Sequence, residues 1–251
     1  MSWYRSLWFM GAVALLTAQT LLAAEAKTST VSFKSGAEEV SAFLAEPEGT
    51  GPFPAMVVIH EWWGLNERIK GVAKEFAGKG YVALAVDLYR GKATSNPDEA
   101  HELYRGLPED RAVRDLQAAV AYLQGRPNVK KDKIGSVGWC MGGGYSLSLA
   151  VNSPELAACI IYYGRLMTDQ ETLKKVSAPI IGFFGEDDRG IPMDSVRAFE
   201  KKMKDLGKNA EVHIYPQAGH AFALSGSPAY QEAAANDAWK RTWEFLAARL
   251  Q

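Results

Sequence analysis

Hydrophobic and polar positions follow two different patterns along the chain, and the change falls near Pro54. Before it, the segments Thr30 to Ser35 and Val40 to Glu46 alternate between apolar and polar residues, with Gly36 in the turn between them. This alternation predicts two strands of an antiparallel edge hairpin. After Pro54, strand-length runs are apolar throughout, and segments with helical periodicity separate them. Strands that are apolar on both faces are typical of parallel sheets covered by helices.

The alternation of apolar runs and helical segments continues to the C-terminus. Further strands are predicted over Ala55 to His60, Tyr81 to Asp87, Lys133 to Trp139, Leu156 to Tyr163, Pro179 to Phe184 and Ala210 to Tyr215. Helices are predicted over Glu67 to Lys79, Pro97 to Gly106, Glu109 to Gly125, Met141 to Val151, Met193 to Leu206 and Tyr230 to Leu250. Such an order specifies a doubly wound, mostly parallel α/β sheet, here of about seven or eight strands flanked by helices.

The N-terminal segment has a different pattern. Arg5 precedes the almost uninterrupted apolar run Leu7 to Ala23, and small residues follow the run. This order predicts a signal peptide over residues 1–26 with cleavage near residues 24–26. A retained membrane anchor is the alternative, because the run approaches the roughly 20 residues that span a bilayer. Either way, we expect residues 27–251 to form a single domain that is exported, periplasmic or secreted, with membrane contact only through an uncleaved signal.

The charge composition of this domain indicates which classes of ligand it can bind. The 28 basic and 29 acidic side chains nearly balance and form no basic run, so we expect a small-molecule partner and no nucleic acid. Export would permit a disulfide between the two cysteines. However, Cys159 lies in a predicted buried strand and Cys140 lies among glycines, which argues against pairing. Nothing in the sequence indicates an oligomeric state.

Cys140 lies at the junction between a predicted strand and a predicted helix. Gly138 and Gly142 flank it in the pattern Gly-x-nucleophile-x-Gly, in which small residues permit a strained turn that exposes the nucleophile. The N-terminus of the following helix would favour a thiolate. A dinucleotide-binding pattern fails because Leu147 occupies the place of the required glycine, and a phosphate loop lacks its lysine. The sequence therefore predicts an α/β-hydrolase with a cysteine nucleophile.

The acid and the base of such an enzyme follow the nucleophile in later loops. Asp188 follows the strand Pro179 to Phe184, and His220 follows the strand Ala210 to Tyr215. We therefore expect Asp188 to be the acid and His220 the base, with Asp187 as the alternative acid.

The segment His60-Glu-Trp-Trp-Gly64 follows the first parallel strand, where the fold places one half of the oxyanion hole. We expect the backbone amides of Trp62 and Met141 to converge on the developing oxyanion. His60 and Glu61 begin a zinc-protease motif, but glycine stands where its second histidine belongs. We therefore predict no metal site and no cofactor.

These motifs resemble the dienelactone hydrolase family of the α/β-hydrolases, from about Thr30 to the C-terminus. The resemblance rests on His60-Glu-Trp-Trp-Gly-Leu-Asn66, Asp87-Leu-Tyr-Arg90, Gly138-Trp-Cys-Met-Gly-Gly-Gly144, Gly185 to Pro192 and Ala218-Gly-His-Ala-Phe222. It implies a triad in which Cys140 is the nucleophile, His220 the base and Asp188 the group that orients the base. It also implies that Glu61 takes part in activating the thiol.

Substrate binding is where the sequence departs from this family, which holds a substrate carboxylate with two arginines. Arg90 lies near the first position, but Leu224 occupies the second, and Arg165 is a candidate replacement. Aromatic residues at strand ends are candidates for the walls of the cleft: Tyr89, Trp63 and Phe222. The segment 165–176 is too short for a large lid, so we expect an open cleft and a small substrate.

The favoured function is hydrolysis of small lactones or esters through an acyl-thioester intermediate. One alternative is a hydrolase of broader aryl esters or thioesters that lacks the carboxylate clamp. A second alternative is a non-catalytic binding protein for small molecules on the same scaffold, although no triad residue is missing. A redox function lacks a resolving cysteine near Cys140.

Overall fold

A computed structural model describes residues 26–251, in which a single sheet has eight strands. The strands are β1 (Lys27–Ser35), β2 (Glu38–Glu46), β3 (Phe53–Ile59), β4 (Val82–Val86), β5 (Val129–Trp139), β6 (Ala158–Tyr162), β7 (Ile180–Gly185) and β8 (Ala210–Tyr215). The helices are α1 (Glu67–Gly78), α2 (Pro97–Arg105), α3 (Glu109–Gln124), α4 (Met141–Asn152), α5 (Gln170–Leu173), α6 (Met193–Asp205) and α7 (Glu232–Leu250).

The sheet has the order β1-β2-β4-β3-β5-β6-β7-β8. β1 and β2 form the predicted antiparallel hairpin at one edge, and β2 is also antiparallel to β4. All remaining neighbours are parallel. The prediction of a doubly wound, mostly parallel sheet is confirmed. Because the central strands point the same way, the loops after β3, β5, β7 and β8 meet at one edge of the sheet.

Helices cover both faces of the sheet, as the apolar runs require. Leu116 of α3, Leu147 of α4 and Phe199 of α6 are fully buried on one face. Ile69 of α1 and Leu246 of α7 are fully buried on the other. Within residues 26–251, no helix is long and apolar enough to cross a membrane. The predicted signal peptide, residues 1–26, lies outside the described residues except for Ala26.

Two local features differ from the predicted elements. β5 begins at Val129 rather than near Lys133, because Val129 pairs with Phe53 before an irregularity shifts the register. The segment 165–176 contains the helix α5, which has only 4 residues and is capped by the side chain of Asp169. A single helical turn is too short to leave a hydrophobic period in the sequence.

Candidate active site

Cys140 occupies the tight turn between β5 and α4 with φ 54° and ψ −118°, a backbone conformation that ordinary residues rarely adopt. Its flanking residues must be glycine for steric reasons. A Cβ atom on Gly138 would lie 2.1 Å from the carbonyl oxygen of Gly142, and one on Gly142 would lie 2.3 Å from that of Ile59. The Cys140 amide donates to the Tyr162 carbonyl across 3.0 Å, which ties the turn to β6. The sequence pattern thus corresponds to a strained turn between β5 and α4 that carries Cys140.

Asp188 and His220 meet across the loops after β7 and β8. His220 Nδ1 lies 2.7 Å from Asp188 Oδ2, and the Asp188 side chain is fully buried. The other oxygen, Asp188 Oδ1, accepts hydrogen bonds from the amides of Gly190 at 2.8 Å and Ile191 at 3.1 Å. An ionised carboxylate accepts but does not donate, so Nδ1 carries the hydrogen and, in the neutral ring, Nε2 has a free lone pair. Asp187, the alternative acid, is exposed.

The charge on His220 is coupled to Cys140. Burial disfavours the protonated imidazole, but hydrogen bonds with Asp188 and Cys140 and the charges of both groups outweigh it, raising the pKa of His220 to about 10. The interaction with Cys140 therefore favours the protonated form of the His220 ring. Cys140 and His220 can therefore exchange a proton within the site.

Two backbone amides, those of Trp62 and Met141, belong to residues that line a cavity together with Cys140. Trp62 follows β3 and Met141 is the first residue of α4. Neither amide donates a hydrogen bond to another group within residues 26–251. Free amides beside a nucleophile are the donors that stabilise a developing oxyanion.

Glu61 is a second buried carboxylate of the site, with its side chain 3% exposed. Within residues 26–251 its ion-pair partner is Arg68 of α1 rather than the thiol of Cys140. Burial raises the pKa of Glu61, and Arg68 opposes that rise. Asn66 caps α1 by accepting a hydrogen bond from the Ile69 amide at 3.1 Å, which fixes the turn that carries Arg68.

The cleft has two cavities that share Trp62, Cys140 and His220. The smaller, of about 240 Å³, is also lined by Tyr104, Met141, Tyr163, Arg165, Gly190 and Ile191. The larger, of about 480 Å³, is also lined by Glu61, Trp63, Arg68, Ala221, Leu224, Ser225, Gly226, Ser227 and Pro228. Cys140 therefore lies where the two cavities meet, with open space on both sides of its side chain.

The arrangement of fold and site agrees with a known family. The model of the dienelactone hydrolase family matches residues 40–250. The chain belongs to the dienelactone hydrolase family. It is accordingly an ester or lactone hydrolase with the α/β-hydrolase fold.

Alignments of this dienelactone hydrolase family member with its relatives extend over most of the chain. A carboxymethylenebutenolidase homologue from Methylorubrum extorquens is 32% identical over 255 residues, which cover 95% of this chain and 88% of the relative. A 2-oxo-3-(5-oxofuran-2-ylidene)propanoate lactonase homologue from Bradyrhizobium is 33% identical over 229 residues, which cover 86% and 92%. The crystal structure of a dienelactone hydrolase homologue from Klebsiella pneumoniae has a TM-score of 0.81 and 27% identity, and covers 88% of this chain and 98% of that one.

The structure brings only some of the expected substrate-binding residues of this family member to the cleft. Arg165 lines the smaller cavity and Trp63 the larger one. Arg90 does not reach either cavity, because its guanidinium pairs with the buried Asp115 at 2.8 Å and with Glu38 at 3.1 Å.

Two of the expected aromatic residues lie behind the cleft walls. Tyr89 is buried, and its hydroxyl donates to Met141 Sδ across 3.2 Å. Phe222 is fully buried in the core and packs against Tyr163 and Tyr215. Both residues support the cleft from behind instead of lining it.

Several residues that line the cleft are not predicted from the sequence, among them two long side chains of helices. Arg68 projects from α1 and Tyr104 from α2. The hydrophobic periodicity of a helix identifies its buried face, but it does not show which turn of the helix lies beside a binding cleft. Among the residues that the structure describes, no group of three or more His, Cys, Asp or Glu side chains could hold a metal ion.

Proposed function

We propose that this protein is an exported hydrolase of small lactones or esters that acts through a Cys140–His220–Asp188 triad. The observation that carries the proposal is the nucleophile turn at Cys140, with the His220–Asp188 pair beside it and two free amides flanking it. Export is proposed on the sequence alone, from the order of charge, apolar run and small residues in the segment 1–26.

In the first half of the reaction, His220 takes the thiol proton and Cys140 Sγ attacks the substrate carbonyl carbon. The carbonyl oxygen becomes an oxyanion held by the amides of Trp62 and Met141. When the carbonyl re-forms, the bond to the leaving oxygen breaks, and His220 returns the proton to that oxygen. The acyl group remains on Cys140 as a thioester.

In the second half, water attacks the thioester carbonyl and His220 accepts its proton. The carbon–sulfur bond then breaks and releases the carboxylic acid, and His220 returns its proton to the Cys140 sulfur, which restores both residues. Thiolates leave more readily than amines, so the tetrahedral adduct of an amide reverts to the starting materials. The chemistry therefore favours activated esters, lactones and thioesters.

Glu61 has a conditional role in this proposal. Its carboxylate pairs with Arg68, so it can act on the Cys140 thiol only after Arg68 releases it. His220 remains the principal base, because Asp188 holds it in the required tautomer.

A substrate with a carboxylate is the specificity that we propose. Arg165 lines the smaller cavity beside Cys140 and forms no ion pair with another residue in the range 26–251. The names of both relatives refer to lactones that carry a carboxylate. Leu224 lines the larger cavity, so no arginine is supplied from its position.

The triad is tested by trapping the acyl-enzyme. The purified protein and its Cys140→Ala variant are mixed with a chromogenic ester, quenched in acid and examined by mass spectrometry. We expect an acyl adduct on Cys140 in the wild type, and neither adduct nor turnover in the variant. Turnover by Cys140→Ala would refute the triad, and ligand binding without turnover by the wild type would favour a binding protein.

The carboxylate preference is tested with Arg165→Gln against Arg197→Gln, which removes an equal charge from the exposed face of α6. A lactone with a carboxylate is compared with a neutral aryl ester. We expect Arg165→Gln to raise KM for the charged substrate alone, and Arg197→Gln to leave both KM values unchanged. Equal KM values for both substrates in every variant would instead support a broader esterase.

Export is tested by fractionating producing cells and sequencing the N-terminus of the mature protein. A new N-terminus near residues 25–27 in the exported fraction would support cleavage. An intact N-terminus in the membrane fraction would indicate a retained anchor.

A further inference from the structure

His60 is a fully buried histidine that the proposed reaction does not use. Both of its ring nitrogens have backbone partners. Nδ1 lies 2.6 Å from the carbonyl oxygen of Glu61, and Nε2 lies 3.2 Å from the amide nitrogen of Leu88. A carbonyl only accepts and an amide N–H only donates, so Nδ1 carries the hydrogen and Nε2 does not. The ring is therefore a neutral imidazole of defined tautomer.

The carbonyl that His60 binds belongs to the same peptide group as a candidate oxyanion donor. The peptide bond between Glu61 and Trp62 is trans, so the Glu61 carbonyl and the Trp62 N–H point in opposite directions. The Glu61 carbonyl also accepts a hydrogen bond from the Gly64 amide at 3.1 Å. Two donors that hold the carbonyl on one side therefore direct the Trp62 N–H to the other.

We infer that His60 is a positioning residue for the oxyanion hole, which aims the Trp62 amide by holding the Glu61 carbonyl. The inference rests on the proposed function of the Cys140 triad. His60 does not contact the substrate or the reacting atoms in this role. Its effect is exerted through one rigid peptide plane.

The loop after β4 links His60 to the other half of the oxyanion hole. His60 Nε2 accepts a hydrogen bond from the Leu88 amide, and the His60 ring packs edge-on against Tyr89 with ring centroids 4.9 Å apart. The Tyr89 hydroxyl donates to Sδ of Met141, whose amide is the second candidate donor. This loop therefore contacts residues on both sides of the oxyanion hole.

Burial keeps the ring in the form that this role requires. Burial lowers the pKa of His60, although the Glu61 carbonyl and the charge of Asp87 oppose the change. A protonated ring would have a hydrogen on Nε2 and could not accept the hydrogen bond from the Leu88 amide.

Three substitutions separate the two hydrogen bonds of His60. Asparagine places its amide NH₂ near the position of Nδ1, so His60→Asn keeps a donor for the Glu61 carbonyl. Glutamine reaches the position of Nε2, so His60→Gln keeps an acceptor for the Leu88 amide but not the donor to Glu61. His60→Leu removes both groups. Thr242→Val, which deletes the buried hydrogen bond to Tyr162 away from the cleft, controls for loss of stability alone.

Ester hydrolysis and alkylation of Cys140 by iodoacetamide are measured for each variant. Alkylation displaces iodide at a saturated carbon and develops no oxyanion, so it reports the thiolate and not the oxyanion hole. One oxyanion donor contributes about 10²–10³-fold to kcat, so we expect its misalignment in His60→Leu and His60→Gln to lower kcat by about 10- to 100-fold. KM and the alkylation rate should stay within about twofold. His60→Asn should recover most of kcat.

Several outcomes would overturn the inference. Equal kcat losses in His60→Asn and His60→Gln, or an alkylation rate that falls together with kcat, would indicate a structural role for His60. A kcat loss of the same size in Thr242→Val would indicate the same. Cys140-dependent hydrolysis with unchanged kcat in His60→Leu would refute the positioning role alone, whereas hydrolysis by Cys140→Ala would refute the triad and with it this inference.

Discussion

The imidazole of His220 donates to one carboxylate oxygen of Asp188 across 2.7 Å, while two backbone amides hold the other oxygen. The carboxylate is therefore fixed before any substrate arrives, and it determines which nitrogen of His220 faces Cys140. This relationship makes the identity of the acid testable.

Asp188→Asn should lower kcat by about 10²–10⁴-fold with little change in fold. The amides of Gly190 and Ile191 would retain the Asn oxygen, so its NH₂ would face Nδ1 and force the hydrogen onto Nε2, the nitrogen that must accept the thiol proton. Steady-state kinetics with an aryl ester measure the effect. Asp187→Asn, a substitution on the exposed neighbour, is the control and should retain wild-type kcat. Activity lost in Asp187→Asn and kept in Asp188→Asn would reverse the assignment.

The stability of the protein should depend on pH through the protonation of His220. Its pKa in the folded protein, about 10, lies above the ordinary value of 6.5, so folding favours the protonated ring. This stabilisation is complete below about pH 6.5 and is lost as the pH rises through about 10. The difference in unfolding free energy between wild type and His220→Gln should therefore shrink from about pH 6 to pH 10, as measured by urea denaturation. A difference that grows over this range would contradict the raised pKa.

Removing only one partner of the Glu61–Arg68 ion pair should lower the stability of the protein. Arg68→Met leaves a buried carboxylate without its partner and should lower the unfolding free energy by about 1–3 kcal/mol, less than for a fully enclosed pair because Arg68 is 31% exposed. Since burial already raises the pKa of Glu61, protonation relieves the unpaired charge, and the loss should be smaller at about pH 5 than at about pH 8.

Two further variants complete the Arg68 experiment. Adding Glu61→Gln to Arg68→Met should restore part of the stability, because the unpaired charge is then removed. Lys70→Met breaks the pair with the exposed Glu67 on the same helix and should leave stability nearly unchanged. Equal losses in Arg68→Met and Lys70→Met would mean that the Glu61 pair is no stronger than a surface pair.

Glycine substitutions should have opposite effects at two positions. Gly138→Ala forces a Cβ atom to within 2.1 Å of the Gly142 carbonyl oxygen and should destabilise the fold by about 3 kcal/mol or more. Gly71→Ala lies on the exposed side of α1, with no atom within 4 Å of its new Cβ, and should stabilise by about 0.5–1 kcal/mol. Thermal and urea unfolding measure both. A stable, active Gly138→Ala protein would contradict the geometry of the turn.

Much of this fold and site could be predicted because the signals are local. Apolar runs and helical periods identify the strands and helices, and the glycines around Cys140 identify the strained turn. Asp188 and His220 follow from the rule that the carboxyl ends of parallel strands meet at one edge. Each of these inferences needs only a short stretch of sequence and its place in the strand order.

The remaining features depend on contacts between distant segments. Arg90 follows β4 at the expected edge, but the buried carboxylate of Asp115 on α3 draws its side chain away from the cleft. Phe222 is close to His220 in sequence, yet it points into the core. Arg68 lies on a helix whose exposed side is rich in charge, and only the tertiary structure shows that it pairs with Glu61.

The two cavities that meet at Cys140 have walls from different parts of the chain. Residues 221–228 contribute much of the larger wall, whereas Tyr104, Arg165 and Ile191 form the smaller one. With Cys140, the proposed nucleophile, at their junction, we expect separate groups of residues to set selectivity for the two halves of a substrate. Directed evolution of the residues around one cavity should therefore change the preference for one half of the substrate and leave Cys140 and His220 unaltered.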